Sequence, residues 1–366
     1  MQTQAARSVD IALVVRNWLF GWYIIEYQQH GSDRAEYGTG LLKALSKVLN
    51  SKLGKGFSVD NLELMRIFYL EFKDKQPESL NKSLALEKSE TLSRISGLIS
   101  ETTSRNFNYF SATSLKLVEN WLALSEKFSL SWSHYIMLMK IRSIDERRFY
   151  EIEALTNNWG VRELKRQINS SLYERLALSR DKEKVKELSE KGQLISQPSD
   201  ILKNPYVLEF LGLEEHSAYS EHELETAIIN KIEHFLLELG KGFLFEARQK
   251  RFTFDDDHFY VDLVFYNRLL RCYVIIDLKR DKLTHQDLGQ MQMYVNYFDR
   301  YVKLEDEKPT VGILLCHSKD DRMVALTLPE SSNIYASEYQ LYLPSKEELK
   351  KQLEEAQEEW EMYHVR

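Results

Sequence analysis

The sequence predicts an α+β multidomain protein in which an all-α, helix-turn-helix-like N-terminal domain precedes an α/β core with a central mixed sheet. Three observations carry this. From Ser8 to about Leu178, apolar residues recur at spacings of three and four with a single proline, Pro77, which is a helical signature. After Asn204 the period changes, and short apolar runs bounded by turn residues alternate with helices in the order α-β-β-β-α-β. Between the two lies a Lys/Glu/Ser/Gln-rich stretch punctuated by Pro198 and Pro205. The division is therefore residues 1–180 as a helical domain, 181–203 as a charged linker and 204–366 as the α/β core. At 366 residues and 43% apolar, the chain has length for two to three domains of roughly 150 residues, each with its own interior.

In the helical half, Leu115, Val118, Leu122 and later Leu164, Ile168, Leu172 show the helical spacing. Leu41–Leu53 is amphipathic, Gly54-Lys-Gly56 breaks it, and Ser58 opens Val59–Leu70 as an N-cap. A helix, glycine turn, helix unit can set Asn61, Glu63 and Arg66 in a major groove. It is also the common way to pack two plain helices. Leu130-Ser-Trp-Ser-His134 caps a helix to about Arg142, and Asp145–Leu155 follows. Val161–Leu176 then carries Arg162, Lys165, Arg166 and Arg175, a basic stripe that fits either a phosphate-contacting face or a solvated one.

In the second half, Ser220 with Glu223 makes a capping box for a helix to about Leu239, closed by Gly240-Lys-Gly242. Strands are expected at Phe243–Phe254, Tyr260–Tyr266 and Arg271–Lys279, with a hairpin loop at Asn267–Leu270. Thr284 caps a helix to about Tyr301, Thr310–Cys316 is a buried strand, and Ser345 caps a final Glu/Lys-rich helix.

Composition excludes several classes. Cys272 and Cys316 sit in apolar runs without metal-ligand spacing, so neither a disulfide framework nor a structural zinc is expected, and a reducing cytoplasm fits. The run Ile11–Ile25 is interrupted by charge and the others are too short for the about 20 apolar residues of a membrane span, so no membrane partner is expected. Charge is uneven: 29 Lys and Arg against 25 Asp and Glu up to residue 200, then 20 against 31. Affinity for a polyanion must therefore come largely from the first half.

The chemistry-bearing pattern lies in the strands. Alternation in Tyr260–Tyr266 puts Asp262 and Val264 on one side and Val261, Leu263 and Phe265 on the other. In Tyr273–Lys279, Asp277 and Lys279 share a side and Leu278 points away. A hairpin at Asn267–Leu270 brings Asp262 and Asp277 together, and carboxylates in apolar strands need a cation or a metal. Asp262, Asp277 and the Leu278 carbonyl are hard oxygen donors suited to Mg²⁺ with open positions for water and phosphate. Lys279 would stabilise charge gathering at phosphorus, and Glu225, at the edge of the buried face of its helix, would reach the same ion directly or through water. Gln290 and Gln292 are placed to bond a scissile or neighbouring phosphate. The bland alternative is a buried Asp277–Lys279 ion pair.

These residues carry a resemblance. Leu224-Glu225, Phe235–Gly240, Arg248-Gln249, Asp262–Tyr266, Ile276-Asp-Leu-Lys279 and Asp287–Met291 resemble the YhcG-type branch of the PD-(D/E)XK nucleases. Tyr37-Gly38, Gly56–Ser58, Leu130–His134 and Trp159–Leu164 are similar to the helical domain of unknown function that precedes the nuclease in that family. The resemblance implies a restriction-endonuclease-like core. It also implies a catalytic set of Glu225, Asp262, Asp277 and Lys279, to which the residue pattern adds Gln290 and a metal set of Asp262, Asp277, Leu278 and Glu225. Mg²⁺ is the expected cofactor, with Mn²⁺ able to substitute. DNA rather than RNA is the expected substrate, contacted by Arg66, Arg162, Lys165, Arg166, Arg248, Gln249 and Gln292. One departure stands out: Arg280-Asp-Lys282 follows the lysine where similar sequences carry a glycine, which changes the local charge and the path into the next helix.

The leading expectation is thus a Mg²⁺-dependent endonuclease recruited by its helical domain. The alternative is a non-catalytic DNA- or protein-binding scaffold on a nuclease-like core. Double-strand cutting with one site per chain favours a homodimer, and protein partners from a DNA-processing or defence system are an expectation by analogy.

Overall fold

The computed structural model describes residues 2–30, 35–53, 55–78, 120–180, 182–213, 219–254, 256–329 and 331–364. The helical spacing expected at Leu115 and Val118 lies outside them. The chain divides into two compact units, Met1–Arg147 with Ala154–Val161, and Arg148–Glu153 with Arg162–Arg366.

The first unit is helical: α1 (Gln2–His30), α2 (Ala35–Leu53), α3 (Val59–Glu71), α4 (Trp132–Leu138) and both ends of α5 (Ile144–Thr156). Ser58 caps α3 as expected, its hydroxyl accepting from Asn61 N at 3.2 Å. Gly21 lets α1 lie directly on α3, since a Cβ there would fall 1.9 Å from the Met65 carbonyl oxygen. Trp18 is fully buried beside it, donating Nε1 to Phe72 O at 3.1 Å and standing edge-on to Tyr69. Among the described residues one stretch, Ser8–Ile25, is long and apolar enough to cross a membrane. The charged Arg16 lies inside it, as expected from the sequence. Here Val14, Val15, Trp18, Ile24 and Ile25 are buried within the unit.

The second unit begins earlier than the sequence suggested. Here α6 (Val161–Asn169), α7 (Leu172–Leu178) and α8 (Lys182–Lys191) precede the sheet. The stretch 181–203, expected as a linker, is folded: Leu188 on α8 is buried, Pro198–Ile201 forms a 3-10 turn, and Ile201 and Leu202 join the core around Phe235 and Leu263. Its Lys/Glu richness is the wet face of an amphipathic helix. What ties α7 into this unit is charge. Arg175, fully buried, donates Nη1 to Glu238 Oε1 at 2.5 Å and to Pro205 O at 3.1 Å, and Nε to Ser170 O at 2.7 Å. Lys203 Nζ donates to the Glu238 carbonyl, and Val207 N to Glu238 Oε1 at 3.0 Å. Glu238 lies 31 to 63 residues from Arg175, Lys203 and Val207, beyond the reach of any local pattern.

The core is a mixed six-stranded sheet in the order β1-β6-β5-β4-β3-β2, with strands at Tyr206–Val207, Phe243–Phe254, Asp257–Asn267, Cys272–Lys282, Val311–Ser318 and Ile334–Gln340 numbered along the chain. The pairs β2/β3 and β3/β4 are antiparallel, while β4/β5, β5/β6 and β1/β6 are parallel. Helices α9 (Glu221–Asn230) and α10 (Ile232–Leu239) cover one face through Leu224, Ile228 and Phe235. The expected single helix to Leu239 is interrupted at Lys231. On the other face, α11 (His285–Tyr297) packs Leu288, Met291 and Tyr294 against Ile275 and Leu314. It lies so close that a Cβ on Gly312 would meet Met291 Sδ at 2.7 Å. Helices α12 (Asp321–Thr327) and α13 (Lys346–His364) complete the unit. The expected hairpin, capping boxes and β2–β5 are present; β1, β6 and α12 are additions to the expected order.

Candidate active site

The β3/β4 ladder runs from Asn267↔Cys272 to Leu263↔Ile276, so one step further Asp262 stands opposite Asp277. Leu278 points into the core under α9, as alternation required, and its N–H donates to Asp262 Oδ2 at 2.9 Å. Asp277 is 4% exposed, and Lys279 reaches back along its own strand to put Nζ 2.7 Å from Asp277 Oδ2. Behind Lys279 stands Asp287 at 3.8 Å, the capping-box acid of α11, whose other oxygen accepts from Thr284 N at 2.8 Å.

The helix acid is arranged differently. Glu225 on α9 is 2% exposed and fully engaged: Arg248 Nε donates to Oε1 at 2.6 Å and Gln249 Nε2 to Oε2 at 2.7 Å, with His222 Nδ1 at 3.7 Å. The same Gln249 amide donates to Asp262 Oδ1 at 3.0 Å. Glu225 thus joins the aspartates through Gln249, and among the described residues no three His, Cys, Asp or Glu gather as a ligand group. Gln249, flanked by Arg248↔Leu263 and Lys250↔Val261, lies opposite Asp262 and adopts the left-handed backbone region at φ 47°. The pleat turns over there. Leu263 and Phe265 face α9 and α10, while Val261 and Phe252 face α11, which corrects the expectation that Val261 shares a side with Leu263.

Burial, then the neighbouring Asp262 charge, pushes Asp277 up to about 7 against the pull of Lys279. Asp262 is also raised, chiefly by burial, although bonds from Leu278 N and Gln249 favour its charge. For Lys279, burial works against the charge but Asp277, Glu221 and Asp287 outweigh it, so its pKa rises and it stays an ammonium. This is a buried acidic pair with a single close cation, an excess of negative charge that packing alone does not call for.

The remaining expected site residues are distributed as follows. Gln290 donates Nε2 to the Tyr294 hydroxyl at 2.7 Å. Tyr294, buried and raised to about 12 by burial and then by Asp277, is a site neighbour the sequence reading passed over, although its i+4 spacing from Gln290 was a usable signal. Gln292 is half-buried and donates Nε2 to Asn296 Oδ1 at 3.3 Å. Arg248 and Gln249, expected to contact nucleic acid, are instead the internal partners of Glu225. Arg66 donates Nε to Glu63 Oε2 at 3.0 Å. Arg166 is spent on Glu209, Glu238 and Glu163, which leaves it 17% exposed, while Arg162 and Lys165 on α6 remain exposed.

A strand acid answered across the ladder by an acid-x-lysine on the next strand is the arrangement around which PDDEXK nucleases are built. Residues 199–354 match the YhcG PDDEXK nuclease domain, and residues 1–175 match the DUF1016 N-terminal domain. The chain is 38% identical over 354 residues, 96% of its length and 89% of the relative's, to the "Putative nuclease YhcG" of Escherichia coli (strain K12). It belongs to the YhcG family of PDDEXK nucleases. Shorter overlaps occur with two solved structures. One is a repair endonuclease from Pyrococcus abyssi (20% identity, TM-score 0.23, 36% of this chain and 50% of that one). The other is the EndoMS-dsDNA2 complex (18%, 0.24, 37% and 51%). The chain spans about half the length of each of these two.

Proposed function

We propose that the chain hydrolyses DNA phosphodiester bonds with the help of Mg²⁺, for which Mn²⁺ can substitute. The observation that carries this reading is the meeting of Asp262, Asp277 and Lys279, with Asp277 raised to about 7 by its surroundings. A dication fits that donor set. Asp262, Asp277 and the Leu278 carbonyl are hard oxygens, and two acids with one ammonium between them leave negative charge to be matched. When bound, the ion supplies a lower pKa to water and withdraws charge from a phosphoryl oxygen.

The residues of the chain do the rest. Lys279, held as a cation, is placed to stabilise charge developing at phosphorus. Gln249 and Leu278 N–H fix the Asp262 carboxylate, and Arg248 holds Glu225 through a charge-assisted bond. Exposed Arg162 and Lys165 are available for docking of the polyanion, and a two-fold dimer would supply the second site for double-strand cutting. Supercoiled plasmid incubated with the purified chain and Mg²⁺ should be converted to nicked and linear forms, with no conversion in EDTA or by Asp277→Ala. Equal conversion by that variant would overturn the assignment.

A further inference from the structure

Just past Lys279 the chain leaves the regular ladder. The β4/β5 pairing holds to Lys279↔Cys316 and resumes at Lys282↔Ser318, so Arg280 and Asp281 stand out of register as a bulge. Bulges re-aim side chains beside active sites. This one is anchored from α9, with Arg280 N donating to Glu221 Oε1 at 3.2 Å. Among the described residues the Arg280 guanidinium is held by Asp281 alone, Nη2 and Nε donating at 3.0 and 3.3 Å. Both side chains are open to solvent, 47% and 77% exposed. An exposed pair between chain neighbours adds almost nothing to stability and opens readily. Its geometry is nevertheless the planar fork on two oxygens that serves carboxylate and phosphate alike.

We propose that Arg280 contacts a backbone phosphate of the substrate strand, and that Asp281 occupies the guanidinium as a stand-in until the strand displaces it. The inference rests on the reading above, in which the scissile group lies at Lys279, one residue away. The ligand class is a phosphodiester backbone, recognised without regard to base sequence. Asp281 then restrains the contact, and the two neighbours should have opposite effects when changed.

The test is binding of the full chain to a short fluorescein-labelled DNA duplex in EDTA, followed by anisotropy from 50 to 200 mM NaCl. One phosphate contact changes affinity about 3.5-fold over that range, so Arg280→Gln should bind more weakly and lose about that factor less on adding salt. Asp281→Asn should bind a few-fold more tightly, by a similar factor. The double variant should match Arg280→Gln, because Asp281 acts only through Arg280. With both residues exposed, unfolding midpoints should stay at the wild-type value. A wild-type salt slope in Arg280→Gln overturns the proposal, as does tightening by Asp281→Asn that persists in the double variant. Absence of binding by the wild-type chain overturns it too. A wild-type chain that binds but never cuts removes the hydrolytic reading while leaving the salt-slope result intact.

Discussion

Glu238 and Asp277 are carboxylates buried in the same unit, 0% and 4% exposed, and their surroundings drive them in opposite directions. Around Glu238, burial alone would raise the pKa, but Arg175 and Lys203 outweigh it and hold it at about 2. Around Asp277, burial is joined by a second acid and opposed by one lysine, and the result is about 7. The first site is internally closed: each oxygen has a protein donor, and the network fastens α7 to α10. The second is open: Asp277 has a second acid beside it and one close ammonium, so the described residues do not fully match its charge. Depth of burial therefore does not separate a structural acid from a functional one; the balance of partners does.

The sharpest way to break that contrast is Asp277→Asn. Cleavage should fall on the order of 10²–10³-fold, while stability at neutral pH rises by roughly 1–2 kcal/mol, because the unmatched charge goes and the lost attraction to Lys279 offsets only part of the gain. Urea unfolding beside a plasmid assay reads both; a destabilised variant would mean that Asp277 is a structural acid after all. Glu238→Ala should behave inversely. It strands Arg175 and Lys203 in the interior and costs about 3–5 kcal/mol, visible as a large drop in urea midpoint.

Stability against pH separates the two acids without comparing activities. Asp277 holds its proton to about 7 when folded and releases it near 3.8 when unfolded, so the native state carries the extra proton between these values. Its contribution is undiminished below about pH 4 and stability falls as pH climbs towards 7. Glu238 titrates near 2 folded and 4.5 unfolded, so the stability it gives is present above about 4.5 and is lost as pH falls towards 2. Urea midpoints taken across pH 3–8 should show Asp277→Asn flattening the neutral limb alone and Glu238→Gln the acidic limb alone. Flattening of the same limb by both would end the distinction.

Much of the open site was legible in the sequence and almost none of the closed one. Asp262, Asp277 and Lys279 follow from two short-range rules, side-chain alternation and a hairpin's register, which act over a few residues. The capping residues Ser58, Ser220 and Thr284 are equally local. By contrast, Arg175 and Arg166 looked like one basic stripe because their acid, Glu238, lies 63 and 72 residues away. The Lys/Glu stretch after residue 180 looked like a linker for the same reason: its few apolar residues find partners only in three dimensions. Strand β6, Ile334–Gln340, escaped notice because Ala336, Ser337 and Glu338 dilute its apolar alternation.

Gln249 is the place where a local rule failed at the site itself, and it offers the smallest and most specific test. Nothing in Arg248-Gln249-Lys250 calls for a left-handed residue, yet φ 47° turns the pleat over and carries the amide to both Glu225 Oε2 and Asp262 Oδ1. A non-glycine residue there costs roughly 1 kcal/mol or more, a strain that persists at functional sites when the surroundings enforce it. Gln249→Ala and Gln249→Gly remove the bridge equally, so both should lower cleavage by about 10–100-fold, the usual loss when a partner that orients a ligand is removed. They should differ in stability, the glycine variant unfolding about 1 kcal/mol later than the alanine one because only it relieves the backbone. Equal urea midpoints with unequal activities would mean that the left-handed turn, rather than the amide, sets the carboxylate, and Gln249 would then act on the open site through its backbone.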